Sequence, residues 1–350
     1  MESKNYIIEI KDLSVEYRTE TGIVKALNGF DLKLEKGKTL GLVGETGAGK
    51  TTAGLAILRL IPDPPGVLTG GEINFAGESI LEKSEREMEA IRGKKISMIF
   101  QDPMTALNPV FTVEKQIAES IALHENCKKE QAVEKAREML ELVGIPRERG
   151  KEYPHQFSGG MKQRVVIAIA LACSPTVLIA DEPTTALDVT IQAQVLDMMK
   201  QLRKQYDTSM ILITHDLGVV AEICDEVSVV YAGTVIEHGT LYDVYKKTRH
   251  PYTEGLFNSL PDLENREAKL KPIKGMMPDP SNLPMAAPSV TAATMQWISA
   301  ERRNLVLFTE MTRILSGAIC IQTEELMKGG WSASEPERCS SGCKASHKIF

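Results

Sequence analysis

Short apolar runs alternate along the chain with segments that repeat apolar positions at helical spacing. The apolar runs predict strands at residues 6–10, 38–43, 95–100, 177–180, 210–214 and 227–231. The helical spacing predicts helices at residues 52–61, 113–124, 131–143, 164–172 and 191–205. Strands that alternate with helices of about 10–15 residues are typical of an α/β core around a mainly parallel sheet.

Two stretches depart from this alternation. Between Gln101 and Phe157 the pattern gives two helices and no strand, which predicts a helical insertion within the α/β domain. From His250 onward, prolines recur at short intervals as far as Pro288. Because proline interrupts regular structure, this spacing predicts an extended appendage rather than more core.

Composition narrows the class of protein. The 350 residues are 43% apolar and 25% charged, which is typical of globular domains, and the net charge of −6 argues against a broad nucleic-acid-binding surface. The longest apolar run, at 165–173, is far shorter than the ~18 residues of a membrane span. The first residues lack a secretory pattern, and the six cysteines do not resemble a disulfide framework. We therefore expect the chain to begin in the cytosol.

A phosphate-binding motif occupies residues 44–52. The segment reads Gly-Glu-Thr-Gly-Ala-Gly-Lys-Thr-Thr and lies between a predicted strand and a predicted helix, as the Gly-x4-Gly-Lys-Thr pattern requires. Its glycines let backbone N–H groups surround a phosphate chain, while Lys50 reaches the β and γ phosphates and Thr51 binds Mg²⁺. The alternative is a glycine-rich turn that only ends a strand.

Two carboxylates, Asp181 and Glu182, end the apolar strand that starts near residue 176. In a doubly wound sheet this end of a strand faces the ligand. Asp181 is suited to hold Mg²⁺ through water and Glu182 to polarise an attacking water, whereas the alternative is a solvated acidic turn. His215 follows another core strand, and we favour a functional role for it over a structural one.

The segment Phe-Ser-Gly-Gly-Met-Lys-Gln-Arg at 157–164 precedes an apolar helix. Ser158 is a good helix cap, and the free N–H groups of such a helix start suit an anion. The phosphate loop of the same chain already surrounds the nucleotide. We therefore expect this segment to close on a nucleotide held by a second ATPase subunit.

In this order, the motifs resemble those of the ATP-binding-cassette (ABC) family over about residues 5–250. The segment 44–52 resembles the Walker A motif, 158–161 the signature motif, 181–182 the Walker B pair and 185–188 the D-loop. Gln101 resembles the Q-loop glutamine, His215 the switch histidine and Tyr17 the aromatic residue that stacks on adenine.

The resemblance implies a P-loop NTPase with a parallel sheet, an antiparallel β subdomain, a helical signature subdomain at about 101–165 and a C-terminal extension at 251–284. It implies ATP and Mg²⁺ as ligands. The implied catalytic residues are Glu182, His215 and Gln101, and the implied Mg²⁺ ligands are Thr51, Gln101 and Asp181. The implied nucleotide contacts are Tyr17, Gly44, Glu45, Thr46, Gly47, Ala48, Gly49, Lys50, Thr51, Thr52, Ser158, Gly159, Gly160, Met161 and Asp188.

Further segments resemble one branch, the ATPases of peptide and nickel importers. These segments are the Phe-Ser-Gly-Gly-Met signature and residues 100–109, 153–156, 250–256 and 273–280. The resemblance implies a peripheral protein on the cytoplasmic face of the membrane. Its implied partners are a sister ATPase or a second copy, two permeases and, indirectly, a substrate-binding protein. Dipeptide, oligopeptide and nickel remain open as cargo, with peptide favoured.

Two other classes fit less well. A soluble ABC ATPase of DNA repair or ribosomes is expected to carry two fused cassettes or a long coiled-coil insertion, and the sequence shows neither. A small-molecule P-loop kinase does not explain Gln101 or the Ser158-Gly159-Gly160 segment.

The family pattern stops after Pro284. Family members are expected to continue with four cysteines, which bind a 4Fe–4S cluster in some of them, but this chain has Cys320, Cys339 and Cys343 in a different pattern. If the reading frame of the gene is shifted at Met285, the codons of Met285 and Ala286 can only give Gly. The codons that follow permit the family pattern Gly-Cys-Pro-Phe-x-x-Arg-Cys. We therefore predict that 285–350 is out of frame and poorly ordered, and that the cluster ligands are absent from the chain as written. The alternative is an unrelated natural C-terminus.

Overall fold

The computed structural model describes residues 5–20, 22–185, 187–259 and 281. The strands are β1 (Tyr6–Thr19), β2 (Gly22–Glu35), β3 (Thr39–Val43), β4 (Gly66–Phe75), β5 (Glu78–Ser79), β6 (Ile96–Ile99), β7 (Val177–Asp181), β8 (Ser209–Ile213), β9 (Glu226–Tyr231) and β10 (Thr234–Thr240). The helices are α1 (Lys50–Ile57), α2 (Glu85–Ile91), α3 (Pro103–Ala106), α4 (Val113–His124), α5 (Lys129–Leu142), α6 (Gly159–Leu171), α7 (Val189–Tyr206), α8 (Leu217–Ile223), α9 (Leu241–Lys246) and α10 (Pro251–Asn258).

The strands form two sheets. Six lie in the order β10-β9-β3-β8-β7-β6, and all neighbours are parallel except β10, which is antiparallel to β9. The other four form an antiparallel sheet in the order β2-β1-β4-β5. The predicted α/β fold, with a parallel core and an antiparallel β subdomain, is confirmed.

The parallel sheet separates two hydrophobic cores. Successive side chains of a strand point to opposite faces. In β7, Leu178 and Ala180 therefore pack with α4–α7, whereas Val177 and Ile179 pack with the antiparallel sheet and α1. Both faces of the sheet are thus covered, which explains why its strands are continuous apolar runs.

The helical insertion is also found in the structure. Between Gln101 and Phe157 the chain forms α3, α4, α5 and two short 3-10 helices, Arg147–Lys151 and Pro154–Gln156, and no strand. Helix α4 has the predicted bounds. None of the helices in the described part of the chain is both long and apolar enough to cross a membrane.

Two sequence expectations differ from the structure. Strands β2, β4, β5 and β10 and helices α2, α3, α8, α9 and α10 were not predicted. The expectation of an extended appendage from His250 is wrong at its start, because α10 is helical and buries Tyr252 in the core. Proline hides this helix from the sequence pattern, since Pro251 occupies its first turn, where the missing N–H is tolerated. The rest of the extension and the tail from Met285 lie outside the described residues, apart from Ser281.

Candidate functional site

The register of the parallel sheet brings three predicted site segments to one edge. Leu42 of β3 and Asp181 of β7 both pair with Ile213 of β8. The loops that leave these strands therefore begin at the same level. Gly44 follows β3, Glu182 follows β7 and His215 lies just after β8.

The phosphate loop needs glycine for two reasons. Gly44, Gly47 and Gly49 have φ angles of +152°, +84° and +100°, which side-chain-bearing residues rarely adopt. In addition, a Cβ atom on Gly44 would lie 2.2 Å from the carbonyl oxygen of Val230, and one on Gly49 would lie 2.5 Å from that of Ala26. Backbone conformation and close packing together fix the path of the loop.

The loop ends at the start of α1. Gly49 is the N-cap of α1 and provides no side-chain hydrogen bond, and the first turn has no acidic residue. The first N–H groups of the helix are therefore left for a ligand, and the positive end of the helix dipole favours an anion. Thr46 and Gly47 are exposed at the tip of the loop, Thr51 is exposed on α1, and Thr52 is half-buried.

Lys50 is buried beneath the loop, with only 6% of its surface exposed. Its Nζ donates hydrogen bonds to the carbonyl oxygens of Gly44 at 2.7 Å and Glu45 at 2.8 Å. Burial lowers the pKa of Lys50, and the nearby carboxylates of Glu182 and Asp181 oppose this effect. The side chain thus holds the two ends of the Gly44–Glu45 segment from inside the loop.

Asp181 ends β7 and is buried. Burial raises the pKa of its carboxyl group, and a hydrogen bond from the Thr51 side chain partly offsets this effect. A carboxylate beside a hydroxyl is an oxygen donor set that suits Mg²⁺. The structure therefore brings together two of the three predicted Mg²⁺ ligands.

Glu182 contacts both Gln101, the third predicted Mg²⁺ ligand, and His215, the predicted catalytic histidine. Its Oε1 lies 2.9 Å from Nδ1 of His215. Its Oε2 accepts hydrogen bonds from Nε2 of Gln101 at 3.1 Å and from the Thr185 hydroxyl at 2.9 Å. Burial opposes ionisation, but the contacts with His215 and Thr185 outweigh it, so the pKa of Glu182 lies below its ordinary value. Glu182 is therefore a carboxylate at neutral pH.

Thr185 was named in the sequence only as the first residue of the D-loop, and its contact with Glu182 was missed. The Thr185 N–H also donates to the Glu182 carbonyl oxygen at 3.2 Å, so the two residues close a tight turn. Glu182 itself has a φ of +46°, which is uncommon outside glycine. A Thr three residues after an acidic residue at a strand end is a weak signal of such a turn.

The signature segment lies at the start of α6. Ser158 caps the helix, with its hydroxyl oxygen accepting from the Met161 N–H at 3.4 Å. Gly159 is exposed, and a Cβ atom there would contact nothing within 4 Å, whereas one on Gly160 would lie 2.5 Å from Ile191 of α7. Asp188 caps α7 and is also exposed. This surface is open to another molecule.

Tyr17 lies apart from the phosphate loop in sequence and sheet. It belongs to β1 in the antiparallel sheet, opposite Val24 and Gly66, and is half-buried. Its ring passes close to Gly66, where a Cβ atom would lie 3.1 Å away. The adenine contact stays a prediction.

Comparison with protein families gives two matches. Residues 27–185 match the family described as ABC transporter. Residues 236–286 match the family described as oligopeptide/dipeptide transporter, C-terminal region.

Curated relatives are similar over most of the chain. The oligopeptide transport ATP-binding protein OppD of Bacillus subtilis (strain 168) is 54% identical over 79% of this chain and 78% of its own length. The dipeptide transport ATP-binding protein DppD of the same organism is 47% identical over 85% of this chain and 89% of its own. The OppD protein of Salmonella typhimurium is 46% identical over 81% of this chain and 85% of its own length. These names do not favour nickel as the cargo.

Solved structures share the fold. A dimeric post-hydrolysis structure of the ATP-binding cassette MJ0796 bound to ADP and Pi has a TM-score of 0.60 and 26% sequence identity, and the match covers 67% of this chain and 98% of that one. The structure of cbiO1 from Clostridium perfringens, part of the ABC transporter complex cbiONQ, has a TM-score of 0.59 and 26% sequence identity. The match covers 70% of this chain and 93% of that one. With the site geometry and the relatives, these matches show that the chain belongs to the ABC transporter family, in the branch of oligopeptide and dipeptide transport ATP-binding proteins.

Proposed function

We propose that this chain is the ATP-hydrolysing, energy-coupling subunit of an importer for di- and oligopeptides. One observation carries the proposal: Glu182 lies between His215, Gln101 and Thr185 at the sheet edge from which the phosphate loop also starts. That arrangement joins a phosphate cradle to a carboxylate able to act on water. The names of the relatives supply peptide as the cargo.

ATP would occupy the loop from Gly44 to Thr52, with Tyr17 against the adenine. Lys50 is the cation for the β and γ phosphates, because it already lies under the loop and needs only to exchange two carbonyl oxygens for phosphate oxygens. Thr51, Asp181 and Gln101 would hold Mg²⁺. The ion supplies positive charge that offsets the charge on the phosphates.

Glu182 is the general base of the proposed hydrolysis. Its low pKa keeps it ionised, and two hydrogen-bond donors on one oxygen plus His215 on the other fix its orientation. A positioned carboxylate can polarise water for attack on the γ-phosphate. The side chain of His215 is 62% exposed, so it can face a γ-phosphate and Glu182 at once.

The signature segment would complete the site of a partner ATPase. Ser158 and Gly159 present the start of α6 to solvent, and Gly159 leaves room for a phosphate to approach the backbone. Asp188 and Met161 border the same surface. Two subunits would thus enclose two ATP molecules head to tail, and hydrolysis would open them.

The other proposed partners are two permeases, reached through the region after Gln101, and indirectly a peptide-binding protein. The sister ATPase or a second copy would complete the pair. The chain would then be peripheral on the cytoplasmic face of the membrane, with the permeases providing the passage for peptide.

The test compares the full chain with two variants, using fluorescent ATP binding and phosphate release from the transporter co-expressed with its permeases. Lys50→Ala should abolish nucleotide binding. Gly159→Asp places a charge where the side chain meets no neighbour, so the single chain should still bind nucleotide while phosphate release by the complex is lost. Gly70→Asp, also in open space but on β4, is the matched control and should remain active.

Cargo is tested in vesicles that contain the complex. Phosphate release should rise when a peptide-loaded binding protein is added and should not rise with Ni²⁺. A wild-type chain that binds no ATP would overturn the proposal as a whole. Stimulation by Ni²⁺ instead of peptide would overturn its cargo.

A further inference from the structure

The segment His-Pro-Tyr-Thr at 250–253 joins the C-terminal extension to the ATPase core. The His250 ring accepts a hydrogen bond at Nδ1 from the Tyr252 N–H at 3.1 Å, which caps α10. Just before the helix, the Glu237 carboxylate of β10 accepts from the N–H groups of Arg249 at 2.8 Å and His250 at 3.2 Å. The start of α10 is therefore fixed on the sheet.

Tyr252 reaches from this helix to the wall of the phosphate loop. Its side chain is 1% exposed, and its ring centroid lies 4.6 Å from that of Tyr231, at the end of β9. The preceding residue, Val230, provides the carbonyl oxygen that leaves no room for a Cβ on Gly44. The end of β9 thus contacts α10 on one side and the first glycine of the loop on the other.

The Tyr252 hydroxyl faces Glu45, the second residue of the phosphate loop. Glu45 is the charged group with the largest effect on the pKa of this hydroxyl, so the two residues are neighbours. The buried hydroxyl oxygen nevertheless has no hydrogen-bond partner in this structure. A buried, unpaired hydroxyl is costly, so its position beside the loop calls for an explanation. Burial and the charge of Glu45 raise the pKa of Tyr252, which therefore remains a hydrogen-bond donor.

Glu45 has a second contact that nucleotide binding would remove. Its carbonyl oxygen accepts from Lys50 Nζ at 2.8 Å. When Lys50 turns to a phosphate, the start of the loop loses this contact, and the Glu45 carboxylate lies near an anionic ligand. The Tyr252 hydroxyl is a buried donor already placed beside the same residue.

We infer that Tyr252 is a positioning residue for nucleotide binding: its hydroxyl holds Glu45 in place and keeps the carboxylate away from the phosphates once Lys50 has turned to them. The C-terminal extension thereby acts on the phosphate loop through one side chain. This inference rests on the proposed function, because it requires that the loop bind ATP.

The test is Tyr252→Phe in the full chain, with fluorescent ATP binding and thermal unfolding measured together. We expect nucleotide affinity to fall about tenfold, as for the loss of a hydrogen bond to a charged group. The unfolding midpoint without nucleotide should not fall, because the hydroxyl lost has no partner there. In the co-expressed complex, the KM for ATP should rise while kcat at saturating ATP is retained.

Tyr245→Phe is the matched control. The Tyr245 hydroxyl is also partly buried, but it donates to the Leu217 carbonyl oxygen at 2.6 Å, away from the loop. Its removal should lower the unfolding midpoint and leave nucleotide affinity unchanged. Glu45→Gln tests whether Tyr252 acts through Glu45. If it does, Tyr252→Phe should have a much smaller effect on nucleotide affinity in the Glu45→Gln background.

The outcomes separate the two proposals. Wild-type affinity in Tyr252→Phe, with Lys50→Ala unable to bind, would overturn the role of Tyr252 and leave the ATPase proposal intact. Equal effects of Tyr252→Phe with and without Glu45→Gln would also overturn it. Failure of the wild-type chain to bind ATP would instead overturn the proposed function.

Discussion

Replacing Glu182 by Gln removes the charge of the proposed general base and preserves its size. The wild-type carboxylate accepts hydrogen bonds from Gln101 and Thr185 on Oε2, and its Oε1 faces His215. A glutamine can keep its amide oxygen toward the two donors only by turning its NH₂ group toward His215. A neutral His215 accepts that contact at Nδ1, so the site can stay assembled while its base is lost.

The expected loss is in the chemical step. General base catalysis contributes about 10²–10⁴-fold to a rate, which corresponds to about 3–5 kcal/mol of barrier. We therefore expect kcat for phosphate release to fall by at least a hundredfold. ATP binding should change little, because Lys50 and the loop glycines are untouched.

The pH profile gives an independent measure of the same residue. The pKa of Glu182 lies below its ordinary value, so Glu182 remains ionised until the pH falls below about 4.5. Its stabilising contacts are present above that pH and are lost as the pH falls through the lowered pKa. A loss of kcat between pH 7 and 6 would thus belong to another group. We expect any such loss to persist in Glu182→Gln.

The assay is phosphate release by the co-expressed complex at saturating ATP, with fluorescent ATP binding in parallel. Asp197→Asn is the matched control, because it makes the same change of carboxylate to amide on the exposed face of α7, where Asp197 accepts from Gln201. The control should keep wild-type kcat. A Glu182→Gln variant that retains more than a tenth of wild-type kcat would refute the assignment of the base.

Three further predictions concern the loop, a buried thiol and the tail. Gly44→Ala should lower the unfolding midpoint and abolish ATP binding, because its Cβ would lie 2.2 Å from the Val230 carbonyl oxygen; Gly70→Ala, in open space, should do neither. Cys224 is 4% exposed, and burial raises its pKa to about 12, so mass spectrometry after iodoacetamide at pH 8 should find it unmodified in the folded protein and Cys127 modified. Resequencing of the gene from codon 280 to the stop should reveal a one- or two-base correction near codon 285 that restores four cysteines. Confirmation of the written frame would contradict that prediction.

The parallel sheet and the chemistry at its edge could be predicted because both are local in sequence. A buried parallel strand is a short apolar run, and the residues that act on a ligand follow it directly, as Asp181 and Glu182 follow β7. Helix α4 was predicted at its observed bounds because its apolar positions repeat regularly. What local patterns did not reveal was which of these residues contact each other, such as Thr185 and Glu182.

The antiparallel sheet was mostly missed because its strands break the simple alternation. In β2, only Phe30, Leu32 and Leu34 alternate cleanly with charged residues. In β4, Gly71 has a φ of +96°, and the pairing with β1 shifts register between Lys11 and Ser14. A register shift moves apolar side chains out of the two-residue period, so the pattern no longer identifies the strand.

The missed elements also form part of the phosphate site. A Cβ on Gly49 is excluded by the Ala26 carbonyl oxygen of β2, and one on Gly44 by the Val230 carbonyl oxygen of β9, which Tyr252 of α10 approaches through Tyr231. Glycine at these two positions is therefore required by the packing of distant strands as well as by a ligand. It follows that β2 and β9 confine the loop before any nucleotide binds. We therefore expect that a change in β2, or in α10 behind β9, alters nucleotide affinity without touching the motif itself.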